Sequence, residues 1–455
     1  MATLLSSLVS ITCQQPKSHL LIPMIRRRLQ TRDKKTITFR TNCNCRSTNS
    51  TISQEQKGSK TFSLRFHVPI FSSDIDNLKG VFAIVLIILQ TATPFPLNDI
   101  GKWFISPANA VLYSPNTKVP RTGEVALRRA IPANPIMKSM QDSLEDIFYL
   151  LRFPQRKPYG TMEGDVKNAL QIATKEQELI VGSIPLNVKE KGLELYNYLI
   201  NGEGGLQSLF ESIKEKDPDK VSKNLSSSLE TIAQLELLQV PDLPYLLPQQ
   251  YQDFPRLTGR ALVEFTVEKA DNSMFSMSTT GGNGKTATIK VVLDGYSAPL
   301  TAGNFAKLVI DGAYDGVKLK STEQAILSDT EGNGVGFSLP IEIMPAGGFE
   351  PFYRTTLNVQ DGELPVLPLS VYGAVAMAHN PTAEDYSAPS QFFFYLYEKR
   401  NAGLGGLSFD EGQFSVFGYA TIGREILPQL KTGDIIKSAK LVEGYDRLHL
   451  PASNP

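Results

Sequence analysis

Few residues in this 455-residue chain are of a type that does chemistry, and their spacing narrows what that chemistry is. Ser390-Gln391-Phe392-Phe393-Phe394 reads as a strand whose phenylalanines alternate through a sheet, so Phe393 faces away from Phe392 and Phe394. It is then either core or the apolar floor of a pocket. His379, one of four histidines, reads as a hydrogen-bonded structural residue, and a single group titrating near neutrality is thin support for a pH switch. All three cysteines, Cys13, Cys43 and Cys45, fall near the start of the chain, so a form trimmed there has no disulfide, thiolate ligand or thiol nucleophile. Gly281-Gly282-Asn283-Gly284 lacks the following helix that a phosphate cradle requires, and reads as a hairpin tip. The residues point to no nucleophile, metal or cofactor.

Two kinds of element must position these groups. From about residue 123 to 239 the apolar period is helical: Ile136, Met140, Leu144, Ile147 and Leu151 make one stripe, and Val221, Leu225, Leu229, Ile232 and Leu235 another. Val166, Leu170, Ala173 and Leu179, then Leu193, Tyr196, Tyr198 and Leu199, lie between them. Breaks at 154–160, Ile184-Pro185, 201–205 and Asp217-Pro218-Asp219 predict four or five antiparallel helices in a bundle. Asp217 is placed to cap the last helix, with Pro218 as its first residue. Val240-Pro241-Asp242-Leu243-Pro244 begins a surface linker, because each proline disfavours helix before it. Beyond it the period becomes two. Ala261, Val263, Phe265 and Val267 form one alternating face, and Ala287, Ile289, Val291 and Leu293 another. Thr301 is expected to cap a helix running through Phe305 and Leu308.

The first 110 residues read as targeting sequence. Residues 1–60 hold eleven Lys or Arg against Asp33 and Glu55 and are rich in Ser and Thr, the composition of an organelle transit peptide. In 61–110 the apolar run from Val81 to Leu89 follows Lys79 and precedes Ala108-Asn109-Ala110, the small-x-small form that signal peptidase cuts. Nine residues are too few for a spanning helix, which needs about twenty, so the segment reads as a thylakoid lumen signal with a retained anchor as the other reading. Cutting after Ala110 removes 14 basic and 5 acidic residues, leaving 32 against 41. That balance disfavours nucleic acid and anionic membrane as partners.

Ala298-Pro299-Leu300-Thr301-Ala302-Gly303-Asn304-Phe305, the Ser390–Phe394 block and Phe414-Ser415-Val416-Phe417-Gly418 occur in the order and rough spacing of cyclophilin-type peptidyl-prolyl isomerases. The chain as a whole resembles the multidomain thylakoid-lumen cyclophilins of plants. The resemblance implies an α+β protein: targeting segments 1–60 and 61–110, a helical bundle 111–239, a Pro-rich linker 240–257, and at 258–455 an antiparallel β-barrel capped by helices. It implies a lumenal folding factor whose clients are proteins, photosystem II subunits among them, with peripheral contact to the thylakoid membrane. It leaves the oligomeric state open.

A catalyst of Xaa-Pro rotation lowers a barrier of roughly 18–20 kcal/mol by favouring the twisted amide, whose nitrogen regains a lone pair. A guanidinium aimed at that nitrogen binds the transition state alone. In cyclophilins this Arg follows a Tyr-x-Gly turn and is followed by a Phe and a Gln that line the site. In register from Tyr314-Asp315-Gly316, the Arg position falls on Ser321, the Phe position on Ile326 and the Gln position on Asp329. Strand alternation points Lys318 and Lys320 away from Leu319 and Ser321, which keeps both lysines out of the pocket unless the register slips by one. Gln391 and Phe393 match the pocket's glutamine and aromatic floor. Ala378 and His379 fall in the family's Met-Ala-Asn segment, Phe409 at the cyclosporin-binding Trp of many members, and Phe414 at a His. The resemblance therefore implies an isomerase by family with no confident catalytic residue: a binder of extended loops, or an isomerase using Lys320 or Lys318. A third reading makes the bundle the active part and the barrel its platform.

Overall fold

A computed structural model describes residues 119–153, 156–276, 284–330 and 335–451. The cysteines, the basic leader, the apolar run and most of the glycine-rich hairpin tip lie outside the described residues. Eight α-helices and twelve strands are named among the described residues.

Helix α1 (Gly123–Ala130) is followed by α2 (Pro135–Leu150), α3 (Tyr159–Lys175), α4 (Gln177–Gly182), α5 (Lys189–Asn201), α6 (Leu206–Glu215) and α7 (Pro218–Gln239). Asn134 starts α2 by accepting a hydrogen bond from Met137 N at 2.9 Å, with Pro135 at the first helical position. Asp217 does the same for α7, accepting from Asp219 N and Lys220 N at 3.1 Å each. Met140, Leu144 and Ile147 of α2 and Val221, Leu225, Leu229, Ile232 and Leu235 of α7 are buried in one core with Met162, Val166, Tyr196, Leu199 and Leu209. Leu179, Leu193 and Tyr198 are exposed at 58%, 39% and 43%, because their neighbours Ile180, Tyr196 and Leu199 take the inward positions.

Helix α1 stays out of that core. Its buried residues Ala126, Leu127 and Ala130 join an apolar layer on the second half of the chain. Gly123 makes this approach close: a Cβ there would lie 2.6 Å from Tyr419 Cβ, so any larger residue forces the helix off the sheet.

The second half is one eight-stranded antiparallel sheet. Its members are β2 (Arg260–Glu268), β3 (Thr286–Asp294), β4 (Leu319–Ser321), β5 (Ala325–Ser328), β8 (Ala374–Asn380), β9 (Ala383–Tyr395), β10 (Val416–Ile422) and β11 (Ile435–Glu443). The order is β11-β2-β3-β10-β8-β9-β5-β4. The end strands meet: Leu319 N donates to Asp434 O at 2.7 Å, Gly433 N to Leu319 O at 2.9 Å and Ile436 N to Val317 O at 2.8 Å, which curls the sheet into a barrel. Strand β2 buries every second residue, and Val263, Phe265, Ile289, Val291, Phe392, Phe394 and Phe417 fill the interior. Short pairs β1 (Arg256–Leu257) with β12 (Leu448–His449), and β6 (Glu342–Ile343) with β7 (Phe352–Tyr353), flank it. The linker packs Leu247 and Tyr251 on Leu300 and Leu339.

Helix α8 (Pro299–Ile310) caps the barrel, packing Ala302, Phe305, Ala306, Leu308 and Val309 into its core, and begins differently from expectation. Thr301 does not cap it. Instead the buried carboxylate of Glu342 accepts from Leu300 N at 3.2 Å and from Thr301 N and Oγ1 at 2.8 Å each, filling the orphan donors of the first turn.

Candidate functional site

Strand β9 carries Phe392 and Phe394 into the barrel and Phe393 onto its outer face, as period-two alternation requires. Cross-strand pairing sets what surrounds Phe393: Leu327 of β5 lies opposite it on one side and Ala376 of β8 on the other. Leu369, Tyr395 and Val416 belong to the same layer, and the Phe414 ring meets Phe393 edge-on at 5.2 Å. Phe393 is 3% exposed. As arranged, the aromatic floor is packed under side chains of its own chain.

The same register decides which cation faces this side. Leu319, Lys320 and Ser321 of β4 pair with Ser328, Leu327 and Ile326. Lys320 therefore shares a face with Leu327 and Phe393, whereas Ser321 shares the inward face of Ile326 and Phe394. Alternation along β4 holds as read from the sequence; the face that carries Phe393 is the lysine's. Ile326 is fully buried in the barrel core. The Ser321 backbone N–H donates to Thr432 Oγ1 at 3.0 Å. Lys320 Nζ lies 2.8 Å from Asp329 Oδ1, both side chains being partly exposed. An ion pair of that exposure is worth about 0–1 kcal/mol. Lys318 is exposed where the chain bridges to Ile435, with its carbonyl accepting from Asp329 N at 2.8 Å.

The remaining residues form a rim. Gln391, two before Phe393, is 8% exposed and its Nε2 donates to Ser328 O at 3.3 Å. Ala378 is buried. His379 stacks its ring edge-on to Phe414 at 4.5 Å, and its Nδ1, 3.0 Å from Glu384 O, is positioned to donate to that carbonyl. Asp410 is near enough to feel His379: burial raises its pKa and the imidazole opposes the rise. Phe409 is 73% exposed and leans over Gly403. The structure thus gathers Phe393, Gln391, Ala378 and His379 on adjoining strands, and sets Ile326 and Ser321 on the other face.

Sequence reasoning missed Glu411. This carboxylate is buried, accepts from Leu369 N at 2.7 Å, Ser370 N at 2.8 Å and the Ser370 hydroxyl, and so ties the segment before β8 to the rim. Burial raises its pKa against those hydrogen bonds. Its partners lie some forty residues away in sequence, which leaves no local signal. It also walls a cavity of about 250 Å³ with Arg129, Val366, Pro368, Leu407 and Val119, between α1 and the barrel loops.

An eight-stranded antiparallel sheet curled into a barrel and capped by a helix, with an aromatic and amide outer face, has the architecture expected of a cyclophilin. The comparisons agree: residues 274–446 match the cyclophilin-type peptidyl-prolyl cis-trans isomerase family model, and residues 122–240 match the PsbQ-like domain of CYP38-like peptidyl-prolyl cis-trans isomerases. The chain is 63% identical over 385 residues to the chloroplastic peptidyl-prolyl cis-trans isomerase CYP37 of Arabidopsis thaliana, covering 84% of this chain and 83% of that one. A Synechocystis protein named as a thylakoid lumen peptidyl-prolyl cis-trans isomerase is 34% identical, covering 71% and 82%. Chloroplastic CYP38 of A. thaliana is 30% identical, covering 79% and 82%. This chain belongs to the cyclophilin-type peptidyl-prolyl cis-trans isomerase family. The chloroplast and thylakoid-lumen location expected from its leader agrees with the names of these relatives.

Proposed function

We propose that the protein is a thylakoid-lumen folding and assembly factor that holds extended client loops, those of photosystem proteins included, against the outer barrel face, with weak or no isomerase activity. The observation that carries the weak activity is the burial of Phe393 at 3% exposure among Phe414, Leu327 and Leu369: a proline ring has no open floor to sit on without displacing them, so a client loop lies across this face without seating its proline in it. No Arg occupies the register position opposite Ile326 or Leu327, where β4 offers Ser321 and Lys320. A lysine supplies a point donor without the planar fork, so it stabilises the twisted amide less well. Anisotropy titration of a labelled extended Xaa-Pro peptide tests binding. Saturable binding, weakened several-fold by Gln391→Ala, is expected, and no binding at any reachable concentration refutes the reading.

The shared face of Lys320, Leu327 and Phe393 favours one alternative, an isomerase in which Lys320 replaces the guanidinium. On the binder reading, Lys320→Ala leaves the residual turnover unchanged within about twofold; a tenfold or larger loss supports the alternative. Cyclosporin should bind weakly, since Phe409 stands where many family members carry Trp and Phe414 where they carry His. Calorimetric titration checks this, and tight binding contradicts it.

A further inference from the structure

The seam between bundle and barrel carries a buried acid that neither the barrel site nor either core explains. Glu236 of α7 is fully buried, and both its carboxylate oxygens lack a hydrogen-bond partner among the described residues. The charged groups around it come from every element meeting there: Lys138 and Glu145 of α2, Arg128 of α1 and Arg260 of β2. Asp142 of α2 adds its charge through Lys138. These groups hold α1 in place. Lys138 Nζ donates to the carbonyls of Arg128 at 3.5 Å and Arg129 at 3.3 Å, the last turn of α1, and to Gln141 Oε1 at 3.2 Å. Glu145 binds the side chains of Arg128 at 3.4 Å and Arg129 at 2.6 Å. Arg260 donates to Leu127 O at 2.5 Å and to Asp294 Oδ1 at 2.8 Å. Helix α1 is thus strapped to the bundle at one end and lies on the barrel's apolar layer along its length.

We propose that Glu236 is a protonation-controlled latch on this strap: neutral, it leaves Lys138 to hold the α1 carbonyls, and ionised, it competes for that ammonium and loosens α1 from the barrel. Its unpartnered burial pushes the Glu236 carboxyl up to about 7, while desolvation lowers the Lys138 pKa and the charge of Glu236 opposes that fall, so the two groups are electrostatically coupled. Isolated carboxylate charge in such a site is costly, and moving Lys138 towards it is the cheapest relief. The latch goes beyond the proposed client binding and does not depend on it, because its readout is α1 and not the barrel site.

Amide hydrogen exchange on the full chain, corrected for the intrinsic pH dependence, tests this. Exchange of the α1 amides should quicken by about tenfold or more from pH 6 to pH 8 as the local opening free energy falls. Glu236→Gln should hold α1 protected at both pH values, and Glu342→Gln, which removes the other acid pushed up to about 7, should leave the wild-type response intact. A wild-type α1 whose protection is flat with pH overturns the proposal, and this arm needs no variant to fold. A pH response that survives Glu236→Gln, or that Glu342→Gln abolishes, overturns it as well.

Discussion

Acidifying the protein from pH 7.5 to pH 5 raises its resistance to denaturant. Glu236 and Glu342 are buried with carboxyls pushed up to about 7, in both cases first by desolvation. In the unfolded chain each titrates near 4.3, so between roughly 4.5 and 7 the folded state binds more protons than the unfolded one. Stability is therefore full below the unfolded value and is lost as pH rises through about 7, the opposite of the usual behaviour of a salt-bridged carboxylate. For two such groups the change is on the order of a few kcal/mol, since one pKa unit is worth about 1.4 kcal/mol. Glu342 accepts three hydrogen bonds from the start of α8 and Glu236 accepts none. Because both carboxyls are pushed up to about 7, replacing either with Gln should flatten about half of the profile. Urea midpoints across the pH series check this, and a midpoint that rises from pH 5 to pH 7.5 contradicts it.

Replacing Phe393 with Ala should cost about 3–5 kcal/mol of stability, the range for deleting a buried aromatic ring. Its ring sits in a layer with Leu327, Leu369, Ala376 and Tyr395 and meets Phe414 at 5.2 Å, so truncation leaves a void between rigid strands. Phe393→Leu keeps most of the volume and should cost under about 2 kcal/mol. If Phe393 were instead an open pocket floor, Phe393→Ala would leave the unfolding midpoint almost unmoved while abolishing peptide binding. Chemical denaturation of the two variants separates these outcomes.

Much of this architecture was legible from period alone. The stripes of α2 and α7 and the alternation of β2 and β3 report burial directly, because each element packs one face against a core. Asp217-Pro218 marked a helix start because capping is local chemistry. What escaped was long-range. Nothing near Thr301 shows that Glu342, forty-one residues on, caps α8 in its place, or that Glu411 ties down Leu369 and Ser370. Helix α1 falls in the stretch read as bundle, and its place on the barrel shows only in the packing of Ala126, Leu127 and Ala130 on the barrel layer and in the close contact of Gly123 with Tyr419. Counting forward from Tyr314-Asp315-Gly316 gives the Arg position as Ser321, but which face of β4 looks outward depends on pairing with β5 and β9. A one-residue difference exchanges Ser321 for Lys320, and sequence spacing cannot see it.

The most direct test of the account is the rate of Xaa-Pro isomerisation by the full chain in a protease-coupled assay. With the aromatic floor packed over and no guanidinium on the Phe393 face of β4, the rate should fall below that of an ordinary cyclophilin by about two orders of magnitude or more, the loss expected when a preorganised donor to the transition state is missing. Turnover equal to an ordinary cyclophilin would show that the packed face opens and that a cation on it does the guanidinium's work.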